Sequence, residues 1–280
     1  MLFDTHTHIQ FTPYKDDRDE VIARAEHVGV IMNLVGTQRD TSEKAIALAE
    51  QHEHMYASIG IHPIQHDVVD VEEEMTAFRS RGEQWDETFF DTLAQHPKVI
   101  AIGETGLDKF HIRHDKTIED IFAKQITLFM QHYALAKKHE LPLVIHVRDA
   151  HSEMIELLQS LGEPINGTIH CFTGNWKQAE AYLSMGLHLG FTGVITFPPK
   201  KTDPQPQLDL WEVVKHMPLN RLLLETDAPY LTPQIKRGER NEPALVAEVA
   251  KQVALLRGIS YEEVAEETTN NAKKLFLAKV

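Results

Sequence analysis

One cysteine, Cys171, stands in a chain of 280 residues, which excludes a disulfide framework and any cysteine-based zinc module. Long apolar runs are missing as well: none approaches the roughly 18 residues that span a bilayer, so no membrane contact is expected. The opening residues MLFDTHTHIQ hold neither a basic n-region nor an apolar h-region. No signal peptide is therefore expected, and the expected compartment is the cytoplasm. Positive charge is scarce: 28 Lys and Arg against 42 Asp and Glu leave a net charge of −14. Such a surface repels polyanions on average, which argues against wrapping long duplex but leaves room for a local positive site, such as bound metal. There is no GxGxxG after an early strand, no GxxxxGK[ST] and no GxSxG, which argues against a dinucleotide fold, a phosphate loop and a serine nucleophile elbow. What is plentiful is histidine, 17 residues of it, in a chain whose 42% hydrophobic content suffices for a full core. Any metal site must use nitrogen and oxygen ligands.

Eight short runs rich in Val, Ile and Leu recur along the chain: Leu2–Thr5, Val30–Gly36, Met55–Ile61, Val99–Ile102, Leu143–Ile145, Gly167–Ile169, Leu187–Thr196 and Arg221–Leu224. Nearly continuous apolar runs suit strands buried on both faces of a parallel sheet. Amphipathic stretches lie between them, at Asp17–His27, Ser42–His52 after a Thr41-Ser42 cap signal, Thr117–His139, Asn175–Met185 and Leu208–His216. Two more follow at the C-terminus, Ala244–Leu256 and Ser260–Leu277, the latter opening on a Ser260…Glu263 capping box. Eight strands alternating with helices predict an α/β fold of the (β/α)8 TIM-barrel type, one domain over residues 1–280. Asp67–Thr88, strongly charged, and Pro198–Pro206, rich in Lys, Pro and Asp, read as insertions in that frame.

Polar residues collect where the strands end: His6 and His8, His62, Glu104, His146 with Arg148, His170, and Asp227. In a barrel these ends converge on one rim, where active sites of this fold lie. Taken singly, each has a plainer reading: paired histidines occur on exposed strands, a lone Glu after a strand is usually solvated, and a lone buried His is usually a satisfied core residue. Independent accidents would not place one at the end of each successive strand. Histidines in helices and loops, among them His27, His52, His132 and His139, are read as solvated. Four imidazoles (His6, His8, His146, His170) with Glu104 and Asp227 exceed the ligand set of one zinc and suit two adjacent divalent ions. Glu104 is the natural bridge, and a metal pair lowers the pKa of bound water toward neutrality. Asp227, from the last strand and so beside the first, could both ligate and accept the water's proton. Asp227 and Glu104 are thus the candidate catalytic residues. Cys171 follows His170 directly, and strand neighbours point to opposite faces, so it is read as barrel packing.

The segments Asp4-Thr-His6-Thr-His8, Gly60-Ile-His62-Pro63, Gly103-Glu104-Thr-Gly-Leu-Asp108, Ile145-His146-Val-Arg148-Asp149-Ala150, His170-Cys-Phe-Thr-Gly174, Glu225-Thr-Asp227-Ala-Pro-Tyr230 and Arg237-Gly-Glu-Arg240-Asn241-Glu-Pro243 together resemble the TatD family of metal-dependent hydrolases. The likeness runs from residue 2 to Thr268-Thr-Asn-Asn-Ala272. It implies an amidohydrolase-like barrel and a divalent-metal-dependent phosphodiesterase, usually described as a deoxyribonuclease. It also implies metal roles for His6, His8, Glu104, His146, His170 and Asp227. Asp108-Lys109-Phe110-His111 and the charged 67–88 stretch depart from the family pattern where substrate could be gripped.

The leading expectation is a nuclease acting on single strands or 3′ ends through a metal-activated water, using two divalent ions drawn from Zn, Mn, Mg or Ni. Its partner is nucleic acid as substrate, and no obligate protein partner is inferred. His62, Arg148 and Arg237 are candidate substrate contacts, with Lys200 and Lys201 as further phosphate ligands and Phe172, Trp176 and Tyr230 as bases' stacking partners. The rival is a metal-dependent hydrolase of a small ester or amide. Many such barrels bridge their metals with a carbamylated lysine from the fourth strand, where this chain has Glu104. A scaffold without chemistry comes third, since it has no use for six converging ligands.

Overall fold

Short apolar runs bury both faces when helices cover one side of a parallel sheet and the sheet closes on itself on the other. The computed structural model, which describes residues 1–66, 70–73, 76–80, 82–111 and 117–279, has that arrangement. In chain order its elements are β1 (Leu2–Thr7), α1 (Arg18–His27), β2 (Val30–Val35), α2 (Arg39–Ala49), β3 (Met55–Ile59), β4 (Asp70–Glu73), β5 (Thr76–Arg79), α3 (Glu87–Leu93) and β6 (Val99–Asp108). Then come α4 (Ile118–His139), β7 (Leu143–Arg148), α5 (His151–Ser160), β8 (Gly167–Ile169), α6 (Trp176–Ser184), β9 (His188–Phe191), α7 (Gln205–His216), β10 (Leu222–Leu224), α8 (Val246–Arg257) and α9 (Tyr261–Phe276). Eight parallel strands pair in the order β1-β2-β3-β6-β7-β8-β9-β10. Thr7 bridges to Ala228, with His8 N–H donating to Ala228 O and Asp227 N–H to His6 O, both at 2.8 Å. These bonds bring the end of the sheet back to β1 and set Asp227 beside His6 and His8. The result is a nearly closed (β/α)8 barrel.

The starts of five strands meet in one apolar layer, Phe3, Ile31, Ile100, Val144 and Leu223, against Leu275 and Phe276 at the end of α9. That helix tail covers the N-terminal mouth of the barrel, so access to the interior is from the rim where the polar residues collect. α9 starts where the capping signal put it: Ser260 accepts from Glu263 N–H at 3.1 Å. α6 likewise begins after Asn175, whose side chain accepts from Gln178 N–H at 3.1 Å.

Four elements differ from the sequence reading. Leu187–Thr196 is not one strand: β9 stops at Phe191, and Gly193–Thr196 turns as a 3-10 helix. α2 starts at Arg39, because Thr41 Oγ1 accepts from the N–H of Thr37 and Gln38 and acts inside the first turn rather than before it. α5, His151–Ser160, follows Asp149-Ala150 directly and buries only Met154 and Leu158, a pattern too sparse for the periodicity to register. Within the 67–88 stretch, β4 and β5 form a separate antiparallel pair, and α3 begins at Glu87; residues 67–69, 74–75 and 81 lie outside the described residues. Among the described residues no helix is long and apolar enough to cross a membrane.

Candidate metal centre

β1 delivers His6 and His8, whose Nε2 atoms lie 3.1 Å apart. β6, opposite them, carries Glu104. The glycines flanking it let β6 press against β7: at Gly106, φ +152°, a Cβ would fall 2.0 Å from His146 O. Glu104 Oε2 lies 3.3 Å from His6 Nε2 and 4.0 Å from His8 Nε2. Its Oε1 lies 2.8 Å from His146 Nδ1, 3.3 Å from His62 Nε2 and 3.8 Å from His170 Nε2. Asp227 Oδ1 closes the other side, 3.4 Å from His8 Nε2, 3.7 Å from His6 Nε2 and 3.9 Å from His170 Nε2. The rings of His6 and His170 stack at 3.5 Å. Above them opens a cleft of about 280 Å³, lined by Phe11, Asp108, His111, Arg148, Cys171 and Tyr230 among others.

The donor set fits divalent cations. His8 Nδ1 sits 2.7 Å from the carbonyl of Val35, which can only accept. The proton is therefore on Nδ1, and in the neutral ring Nε2 presents a lone pair toward the other ligands. His170 Nδ1, 2.9 Å from Glu225 Oε2, is held in the same sense. Donors about 2.1 Å from a shared ion at tetrahedral or octahedral angles are separated by about 3–3.5 Å, the spacing seen here. Three groupings bring their ligand atoms within 4.8 Å of one another: His6, His8 and Asp227; His6, Glu104 and His170; and His62, Glu104 and His146. Glu104 belongs to two of them and His6 to two. Imidazole and carboxylate without thiolate favour first-row divalent ions.

Electrostatics agree. Burial alone would raise the Glu104 carboxyl, yet His62, His6 and His146 around it hold it well below the usual carboxylate range. Asp227 is lowered too, burial being outweighed by His8, His170 and His6. Burial disfavours charge on His170, but Glu225, Asp227 and Glu104 overcome it and raise its pKa to about 10. His146 faces carboxylates with both nitrogens, Glu104 at 2.8 Å and Asp108 at 3.3 Å, and is raised against its burial. A cation binding here takes over the positive charge these rings otherwise carry and releases their protons.

Comparison with known proteins identifies the lineage. The family described as TatD related DNase matches residues 3–277. The chain belongs to the TatD-related DNase family. It is 42% identical over 279 residues to the uncharacterized metal-dependent hydrolase YabD of Bacillus subtilis, covering 99% of each chain. It is 35% identical over 282 residues to the 3′-5′ ssDNA/RNA exonuclease TatD of Erwinia amylovora, covering 98% of this chain and 99% of that one. Among solved structures, the TatD homologue YJJV from Escherichia coli K12 superposes with a TM-score of 0.83 at 29% identity, over 99% and 98% of the two chains. The chain is thus a TatD-family metal-dependent hydrolase, an enzyme acting on ester bonds.

Within this TatD barrel, His6, His8, Glu104, His146, His170 and Asp227 come together, and His62 joins them at 3.3 Å from Glu104. Arg148 lines the cleft with its guanidinium 4.0 Å over the Phe110 ring. Arg237 lies exposed on a loop, 4.3 Å over Phe197, and is not among the cleft's lining residues; nor are Trp176, Lys200 and Lys201. Phe172 is no stacking platform: it is 2% exposed, packed among Tyr182 and Phe191. Tyr230 does face the cleft. Cys171 is not barrel packing. β8 ends at Ile169, so strand alternation no longer applies, and a left-handed backbone at φ 44° leaves Cys171 facing the cleft beside His170. Burial and the nearby Asp227 raise its thiol, which disfavours the thiolate that a nucleophile needs. His132 is not solvated but wholly buried, its Nε2 accepting from Ile61 N–H at 2.9 Å and its Nδ1 donating to Leu128 O at 2.8 Å.

Three residues escaped the sequence reading. Glu225 orients His170 and also accepts from Cys171 N–H at 2.9 Å. Asp108 holds His146 and His111. Asp4 accepts from Thr226 N–H at 2.8 Å and from its hydroxyl at 2.6 Å, tying β1 to the Asp227 segment. The signal for two of them was spacing: Asp108 is i+4 from Glu104 and Glu225 is i−2 from Asp227, the same-face positions of extended chain.

Proposed function

We propose that this barrel, residues 1–280 as one domain, hydrolyses phosphodiester bonds of nucleic acid at single strands or 3′ ends, using two divalent ions. The observation that carries the reading is Glu104, whose two oxygens face two different sets of imidazoles on the floor of one cleft. A carboxylate so placed suits a bridge between adjacent ions. The cleft supports it by charge: Glu104, Asp108 and Asp227 line it, with Arg148 its one Lys or Arg among the described residues. Protonated His170 and His146 offset part of that acidity, and divalent ions held there would supply positive charge for a phosphodiester in their place.

Bound divalent ions at His6, His8, Glu104, His146, His170 and Asp227 would polarise a phosphoryl oxygen and acidify water. The chain's own residues do the rest. Asp227, lowered and ionised, accepts the proton of the attacking water at Oδ2, since Oδ1 is the atom turned to the imidazoles. Arg148 holds a phosphate oxygen, its guanidinium oriented by Phe110. His62 orients the same phosphate from the Glu104 side. Tyr230 offers a ring at the wall for a terminal base, and Arg237 stands outside for a longer strand. The similarity to an ssDNA/RNA exonuclease supports this choice of substrate.

The test is a metal-reconstituted assay on labelled single-stranded DNA, RNA, duplex DNA, bis(p-nitrophenyl) phosphate and a carboxylic ester, side by side. Stepwise shortening of the single strands is expected, with little action inside duplex. Ester turnover with inert phosphodiesters would replace this reading with small-molecule hydrolysis.

A further inference from the structure

A second opening lies on the other side of the β1 loop from the metal cleft. It is a groove of about 450 Å³ between that loop, α1 and α2, lined by Gln10, Lys15, Arg18, Lys44 and their neighbours. In a chain of net charge −14 its lining holds three cationic residues and no acidic one. The metal cleft instead sets three carboxylates against one arginine, Arg148, among the described residues. Lys15 and Arg18 face no carboxylate at ion-pair distance among the described residues, and only Lys44 has one, Asp40 at 3.1 Å. Arg18 turns its guanidinium to backbone, donating to the carbonyls of Ile9 at 2.7 Å and of Gln10 and Phe11 at 3.2 Å. Those bonds fasten the wall between the two openings while leaving the arginine charge unneutralised.

The groove and the metal centre share that wall. Phe11 lines the cleft and stacks on His8 at 4.5 Å, while its neighbour Gln10 lines the groove. The carbonyl of Val35 accepts from Gln10 Nε2 at 2.8 Å as well as facing His8 Nδ1 at 2.7 Å. A buried side chain of the groove and a metal ligand are thus held by one atom. Gln10 Oε1, also buried, has no hydrogen-bond partner.

We propose that this groove is a second binding site, which takes backbone phosphates of single-stranded nucleic acid a few nucleotides from the bond being cut. The inference rests on the nuclease reading and deepens it: the acidic cleft handles one end of the strand, and Lys15, Arg18 and Lys44 hold its body. Strand phosphates contacted by two or three cations add affinity that depends on length and salt. A molecule too short to cross the Phe11 wall gains none of it.

The test compares the metal-loaded wild type with Lys15→Glu/Lys44→Glu, neither residue being part of the catalytic machinery, on single strands of two, four and eight nucleotides and on bis(p-nitrophenyl) phosphate. For the eight-nucleotide strand, KM should rise about tenfold in the variant with kcat kept. The dinucleotide and bis(p-nitrophenyl) phosphate should be turned over as before. The slope of log KM against log salt on the long strand should flatten by about 1.4, since each lost phosphate contact on a single strand is worth about 0.7. An unchanged KM on the eight-nucleotide strand, with wild type cutting that strand, overturns the groove and leaves the nuclease reading intact. A wild type that cuts no strand but hydrolyses bis(p-nitrophenyl) phosphate overturns both. An equal loss on every substrate also overturns the groove, since it would mean a general defect.

Discussion

Glu225 does not line the cleft, yet from behind its wall it decides which nitrogen of His170 can face the ligands. Replacing it with Gln keeps the size but removes the charge that holds the His170 proton on Nδ1. Loss of such an outer partner typically costs 10–100-fold in metal affinity; for Glu225→Gln that weakening should appear by titration of the metal-free protein, and unaltered affinity would deny the residue its orienting role. Asp227→Asn separates ligand from base. The amide oxygen can still face His6 and His8, but it cannot accept a proton, so kcat should fall by roughly 10²–10⁴ at full occupancy. Near-normal turnover, with occupancy checked by elemental analysis, would move the base to His62 or solvent. The convergence of the six expected ligands was legible because each lies in or just after a recognisable strand, toward the same rim of the sheet. Cys171 was not, since its direction depends on a backbone turn that no residue type announces. Phe172 was misread for a similar reason: an aromatic next to the rim can point inward as well as outward.

At the scale of elements, α4 shows what helical spacing offered and what was left unread. Leu128, His132, Leu135 and Ala136 share one face at i, i+4, i+7 and i+8, so His132 stands in the apolar register and is buried with it. There it links α4 to the chain after β3 and stays neutral, because burial pushes its pKa from 6.5 down to about 4. The unfolded chain takes up that proton first as pH falls. The stability given by the neutral ring is therefore complete above about pH 6.5 and is lost progressively down to about pH 4. Between pH 7 and 5 this amounts to about 2 kcal/mol. Urea unfolding of wild type and His132→Gln at those two pH values should show the wild type losing about that much more; equal losses would mean that His132 is not held neutral. The strands themselves were legible because burial on both faces leaves a run of branched apolar residues. α5 was not, since a helix burying two side chains carries little period, and the break after β9 is made by a Thr192 turn inside a run that stays mostly apolar on both sides of it.

The whole molecule joins a strongly acidic surface to a centre that gathers carboxylates inside it, and the two have one thermodynamic consequence. Glu104, Asp108 and Asp227 are each held ionised by neighbouring imidazoles, within a protein of net charge −14. Divalent ions that bind only the folded arrangement stabilise it by mass action, about 2.7 kcal/mol per site at a hundred times Kd. For a chain of this size each kcal/mol moves the melting point by roughly 2–4 °C, so chelation should lower it by about 5–10 °C for one such site. Metal should restore it with a dependence on free concentration. The ligand rings must shed protons to bind, and His170 without metal keeps its proton up to about pH 10, so the same stabilisation should weaken progressively as pH falls from there. Because strands from both ends of the chain supply ligands, His6 and His8 from the first and Asp227 after the last, the gain belongs to the closed barrel rather than to one segment. It should appear as a shift of a single cooperative transition in calorimetry. A melting point indifferent to metal, in protein shown by elemental analysis to gain and lose its ions, would place those ions outside the Glu104 centre.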